Sequence, residues 1–190
     1  SDEYIFYAGS LYEQKDGIES LIRAFKEIIK FFPSLKLKIA GGTKNGNREE
    51  ALEELIKELS LQGKIELLGL VDRNKIPVLI KSSKMLVLPR PDTIQARGGF
   101  PTKLGEYLAS GKPVIVTNVG EIGKYLSDNE VYFISPHNII SDLVDTVIEI
   151  NNNYEKALGI GMKGKQKARK LFSLESNQTI IYSAFEEALS

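Results

Sequence analysis

The sequence contains no cysteine, a single histidine and no surplus of either charge. Without cysteine there is no disulfide framework, no thiolate nucleophile and no cysteine-ligated metal, which suits a reducing compartment such as the cytoplasm. Lys and Arg total 25 against 25 Asp and Glu. A net charge near zero offers no general attraction to nucleic acid or acidic lipid, so any anion has to be bound locally. No apolar run approaches the roughly 18 residues of a spanning helix. The opening Ser1-Asp2-Glu3 lacks the basic and apolar regions of a signal peptide. These absences predict a soluble, cytoplasmic protein that binds no nucleic acid.

What is present is an alternation. Short β-branched or aromatic runs recur at Tyr4 to Ala8, Leu35 to Ala40, Lys64 to Leu68, Met85 to Leu88, Val114 to Thr117 and Val131 to Ile134, and each reads as a strand. Between them lie helical patterns. In the clearest, Ile18, Leu21, Ile22, Phe25, Ile28, Ile29 and Phe32 share one face at 3.6-residue spacing, with Asp16 and Glu19 placed as a capping box. Weaker patterns follow at Leu52, Leu55, Ile56 and Leu59, at Leu104, Tyr107 and Leu108, and at Ile140, Leu143, Val144, Val147 and Ile148. Parallel strands need crossovers, and right-handed crossovers put helices over the sheet. The pattern therefore predicts an α/β fold, Rossmann-like and doubly wound, with a mostly parallel six-stranded sheet and helices on both faces. Two further helices are expected over Tyr154 to Leu171 and Leu174 to Leu189. At 190 residues, with no internal repeat, the chain reads as a single domain, residues 1–190.

In such sheets ligands sit beyond the carboxyl ends of the strands, near the point where strand order reverses. One of the loops in that position stands out. After Leu88 come Pro89-Arg90-Pro91-Asp92, then Gly98-Gly99-Phe100-Pro101, then a helix opening Thr102-Lys103-Leu104-Gly105-Glu106. A glycine-rich turn lets a phosphate approach the backbone, and the free N–H groups at a helix start favour negative charge. Glu106, one turn into the helix, is placed to accept hydrogen bonds from a ribose diol.

The run Gly99-Phe100-Pro101-Thr102-Lys103-Leu104, followed by Glu106-Tyr107-Leu108-Ala109-Ser110-Gly111-Lys112-Pro113-Val114-Ile115, resembles the donor-site signature of the retaining GT-B glycosyltransferases of group 1. Ile39-Ala40-Gly41-Gly42, Leu67-Leu68-Gly69-Leu70-Val71 and Phe172-Ser173-Leu174-Glu175 follow the same family pattern, so the likeness covers nearly the whole chain. It implies one half of a GT-B fold that binds a nucleoside diphosphate sugar, a UDP- or GDP-sugar, with no metal and no separate cofactor. The sugar would pass with retention to a sugar or lipid-linked acceptor in polysaccharide or glycoconjugate synthesis. It also implies a missing N-terminal acceptor domain, without which the isolated domain is inactive. The absence of any Asp-x-Asp pair agrees with metal-free diphosphate binding.

The resemblance assigns Gly98, Gly99, Phe100, Pro101, Thr102, Lys103, Leu104 and Glu106 to the donor site, the amides of Thr102 and Leu104 holding the diphosphate and Glu106 the ribose. Two positions depart from the family. The first of its two glutamates falls on Gly98, and its Arg and Lys after the first strand become Ser10 and Lys15. Lys15 and Glu106 are then the catalytic candidates, with Arg90 or Arg97 a replacement for the lost cation if the loop folds over the pocket. The competing readings are a non-catalytic nucleotide-sugar-binding module, an epimerase or glycogen-type phosphorylase, and a flavodoxin-like regulatory domain. His137, in Ser135-Pro136-His137-Asn138, is expected to be exposed and inert. Lys163, Lys165, Lys167, Arg169 and Lys170 form a basic run whose plain reading is a solvated face; its alternative is peripheral contact with anionic lipid at the inner face of the membrane.

Overall fold

A computed structural model describes residues 3–43 and 46–172. Six strands, β1 (Tyr4–Ala8), β2 (Lys36–Ala40), β3 (Ile65–Leu67), β4 (Met85–Leu88), β5 (Val114–Thr117) and β6 (Tyr132–Ile134), form one sheet in the order β3-β2-β1-β4-β5-β6. Every pairing is parallel, with Tyr4 opposite Lys36, Ile5 opposite Met85, Leu86 opposite Val114 and Ile115 opposite Tyr132. β1, β4 and β5 are buried at every position, as central strands covered on both faces must be. Order reverses between β1 and β4, which makes their carboxyl ends the place for a ligand.

The helices are α1 (Glu13–Asp16), α2 (Ile18–Phe31), α3 (Asn47–Glu58), α4 (Ile76–Ser82), α5 (Ile94–Arg97), α6 (Thr102–Ser110), α7 (Ile122–Tyr125), α8 (Ile139–Asn152) and α9 (Tyr154–Phe172). α2 packs against α8, and α6 packs against α9 and α4. The apolar stripe foreseen for α2 is buried at Ile18, Leu21, Ile22, Phe25 and Ile28. α9 docks through small residues: Ala157, Gly161, Gly164 and Ala168 form its buried face. A methyl group on Gly161 would stand 2.5 Å from the Gly111 carbonyl oxygen, and one on Gly164 2.6 Å from that of Glu130. The helix expected over Leu174 to Leu189, and most of the Phe172-Ser173-Leu174-Glu175 landmark, lie outside the described residues.

The capping box expected from Asp16 and Glu19 is not formed. Gly17, at φ +70°, is the residue before α2, and no side chain caps the helix from that position. Glu13 takes over: its Oε2 accepts the amides of Glu19 at 2.7 Å and Ser20 at 3.1 Å. Asp16 is drawn inward instead, where its carboxylate accepts the Ser10 amide at 3.0 Å. Glu19 pairs with Arg48 at 2.8 Å. α4 was not evident from periodicity, since it is short and carries a proline in its first turn.

Candidate functional site

A cleft of about 1130 Å³ opens at the carboxyl ends of β1 and β2. Its floor is Ala8, Gly9, Ala40, Gly41 and Gly42. The loops come close here because these positions carry little side chain. Gly9 donates to the Ala40 carbonyl at 2.9 Å and Gly41 to that of Gly69 at 2.9 Å. At φ +157° a side chain on Gly41 would run into the Gly9 carbonyl. One wall is apolar, made by Leu70, Val71, Ile76, Pro77 and Ile80. The opposite wall is one face of α6, with Lys103, Glu106, Tyr107 and Ser110.

Four cations reach this cleft, Arg73, Lys81, Lys103 and Lys165, against one carboxylate, Glu106. In a chain of zero net charge this is a local concentration of positive potential, which low-dielectric walls focus toward an anion. The start of α6 adds to it. No side chain caps that helix and its first turn holds no acidic residue, so the positive end of its dipole is unopposed.

The residues expected to bind a donor are only partly brought together. Lys103 and Glu106 line the cleft. Phe100, Thr102, Glu106 and Lys165 line an adjoining cavity of about 850 Å³, which shares Glu106, Ala109 and Lys165 with the cleft and is also lined by Arg169 and Phe172. Phe100 is held there edge-on to Tyr125, ring centres 5.8 Å apart, and tilted against Phe172 at 5.4 Å. Leu104 is a core side chain, and its amide donates to the Pro101 carbonyl at 3.0 Å. Gly98 ends α5 at φ −86°, with its amide on the Ile94 carbonyl. A methyl group on Gly98 or Gly99 would meet only ordinary contacts, at 3.6 and 3.7 Å, so neither glycine is required by the backbone.

Lys15 is exposed and lines neither cavity. Ser10 likewise stays off the cleft wall; its amide serves Asp16 and its hydroxyl accepts weakly from the Tyr12 amide at 3.4 Å. Neither arginine of the loop lines the cleft. Arg97 is forked onto Asp92 at 2.7 and 2.8 Å, the pair holding that carboxyl below its usual range, and Arg90 is buried beneath the loop. His137 is exposed, as expected, before α8. Arg73, Lys81 and Lys165 were missed as site residues because they lie far from the signature in sequence. Lys165 lies within a basic run read as a solvated face, and no local signal sets it apart. Among the described residues no group of three or more His, Asp or Glu is arranged to hold a metal, and no helix is long and apolar enough to cross a membrane.

Residues 1–167 match the family described as glycosyl transferases group 1. An uncharacterised glycosyltransferase of Methanocaldococcus jannaschii is 28% identical over 181 residues, covering 95% of this chain and 47% of its own length. The chain thus spans about half the length of that relative. Among solved structures, sucrose-phosphate synthase from Thermosynechococcus elongatus superposes with a TM-score of 0.82 at 22% identity, over 100% of this chain and 46% of its own. HepE of Anabaena in complex with UDP-glucose gives 0.80 at 18% identity, over 97% of this chain and 49% of its own. At such identities the structural likeness establishes the fold. The family match spans most of the sequence, and the chain belongs to the group 1 glycosyl transferases.

Proposed function

We propose that the cleft binds a nucleoside diphosphate sugar and that the chain is the donor-binding half of a GT-B glycosyltransferase. The observation that carries this is the meeting of four cations and one carboxylate in a cleft at the carboxyl ends of β1 and β2, next to the point of sheet reversal. The apolar wall of Leu70, Val71, Ile76 and Pro77 suits the flat face of a base. Glu106 accepts hydrogen bonds from the ribose diol, and Lys103, Arg73 and Lys165 face the diphosphate. As the bond to the sugar breaks, charge grows on the leaving diphosphate, and cations beside an uncapped helix start stabilise it. This chemistry needs no metal. HepE, which shares this fold, is held with UDP-glucose, in keeping with a nucleoside diphosphate sugar as the ligand.

The remaining half of the enzyme, matching the length by which relatives exceed this chain, is assigned to the acceptor. Transfer with retention to a sugar or lipid-linked acceptor follows the family resemblance. A lipid-linked acceptor would bring the exposed cations Lys163, Arg169 and Lys170 of α9 toward an anionic surface. A second reading, a nucleotide-sugar-binding module without turnover, is favoured by one finding: Lys15, the surviving half of the family's cationic pair, stands outside the cleft.

Calorimetric titration with UDP, GDP, ADP and their sugar conjugates tests the assignment. One nucleotide is expected to bind, and Glu106→Ala to weaken it about tenfold, or ~1.4 kcal/mol. No binding by folded full-length protein up to millimolar ligand would refute the site. Turnover of bound donor by the full-length protein separates the enzyme from the module.

A further inference from the structure

Strand order reverses between β1 and β4, and a buried ion pair spans that gap. Arg90, just after β4, is 7% exposed, and Asp16, at the end of α1, is 8% exposed. Arg90 Nε lies 3.8 Å from Asp16 Oδ1 and makes no hydrogen bond, while Nη1 donates to the Gly99 carbonyl at 3.3 Å. Asp16 Oδ2 accepts the Ser10 amide at 3.0 Å. It also lies 3.1 Å from the Tyr7 hydroxyl, whose proton has the Ser10 carbonyl oxygen as its nearer acceptor at 2.6 Å. The backbones meet at the same place: any side chain on Gly17 would overlap the Pro89 carbonyl oxygen.

A continuous path thus runs from Ser10 through Asp16 and Arg90 to Gly99. It joins the loop after β1 to the loop that opens α6, the two segments flanking the point of reversal. At the surface Arg97 and Asp92 close into a fork, with bonds of 2.7 and 2.8 Å. Arg90 leaves Nε unbonded and divides its guanidinium between a carboxylate on one loop and a carbonyl on the other. Buried ion pairs are no more stabilising than well-packed apolar residues of the same volume, whereas a planar, two-ended cation fixes the relative placement of what it touches.

We infer that Arg90, clamped by Asp16, is a positioning residue of the donor site. It sets the entry of α6, and with it the phosphate-facing Lys103, at the spacing from the β1 loop that a diphosphate requires. The inference rests on the donor-site reading. Arg90 touches no substrate and acts through Gly99.

The test compares the nucleoside diphosphate that binds the unaltered full-length chain, among UDP, GDP and ADP, with its own nucleoside. Both are titrated into Arg90→Lys and Asp16→Asn at a temperature where circular dichroism shows each variant folded. Lysine keeps the charge but not the two-ended reach. The diphosphate is expected to bind about tenfold more weakly to either variant, the scale of one lost hydrogen bond to a charged group, with nucleoside affinity unchanged. If melting temperature falls but both affinities hold, or if both fall together, Arg90 is only structural and the inference is overturned. Should a single variant fail to fold, Asp16→Asn combined with Arg90→Gln removes both charges at once, leaves no lone buried ion and answers to the same ratio. If the unaltered chain binds neither ligand, the donor reading itself fails, a result distinct from an unchanged ratio.

Discussion

The hydroxyl of Tyr107 accepts the amide of Ala8 at 2.7 Å and so ties α6 to the carboxyl end of β1. Both residues line the cleft. Burial pushes the Tyr107 phenol above its ordinary range, so it stays a neutral hydroxyl throughout the working pH range. Removing it leaves a buried amide without a partner. Tyr107→Phe is expected to cost about 1–3 kcal/mol of stability and to weaken nucleotide binding, because Glu106 sits one residue away. Thermal melting and calorimetry check both, and a variant that melts and binds like the parent would deny the tie any importance.

The cations of the cleft should act on phosphate and not on base. Arg73→Ala and Lys103→Ala are each expected to lower diphosphate affinity about fivefold, ~1 kcal/mol, the upper range for solvent-exposed ion pairs. Nucleoside affinity should be unaffected. Raising ionic strength should shrink the difference between parent and variants, since exposed charges are screened. Equal losses for nucleoside and diphosphate would place these side chains elsewhere.

Two glycines flanking the buried Arg90 should answer oppositely to substitution. Gly98, at φ −86° with its nearest foreign atom 3.6 Å from an added methyl group, should accept Gly98→Glu within about 0.5 kcal/mol. Gly17, at φ +70° against the Pro89 carbonyl, should not. Gly17→Ala is expected to cost more than ~2 kcal/mol, from left-handed backbone strain and from pushing the β4 loop away. Chemical denaturation of the two variants side by side decides it, and a reversal of their order would contradict the described backbone.

α9 carries Lys165 to the cleft only because its buried face is small. Gly161→Ala would set a methyl group 2.5 Å from the Gly111 carbonyl oxygen, forcing the helix outward at a cost of about 1–3 kcal/mol. Nucleotide affinity should fall with it as Lys165 withdraws. A variant of lower melting temperature and parental affinity would show that Lys165 takes no part in binding.

The sequence by itself determined the elements. All six strands are found within one residue of their expected bounds, and β1, β4 and β5 to the residue, because alternation and apolar spacing are properties of near neighbours in the chain. It also placed Lys103 and Glu106 together, since residues three apart on a helix share a face whatever surrounds it. Strand order was not legible, and most of the rest follows from strand order. Only the folded sheet puts β1 beside β4, so only it turns Asp16 from an expected helix cap into the partner of Arg90, across a sequence separation no local pattern spans. The same packing brings Arg73 and Lys81, at and just before α4, and Lys165, on α9, from two distant segments to one cleft and leaves Lys15 outside it. Local periodicity fixes which residues lie on a face; long-range packing decides which faces meet.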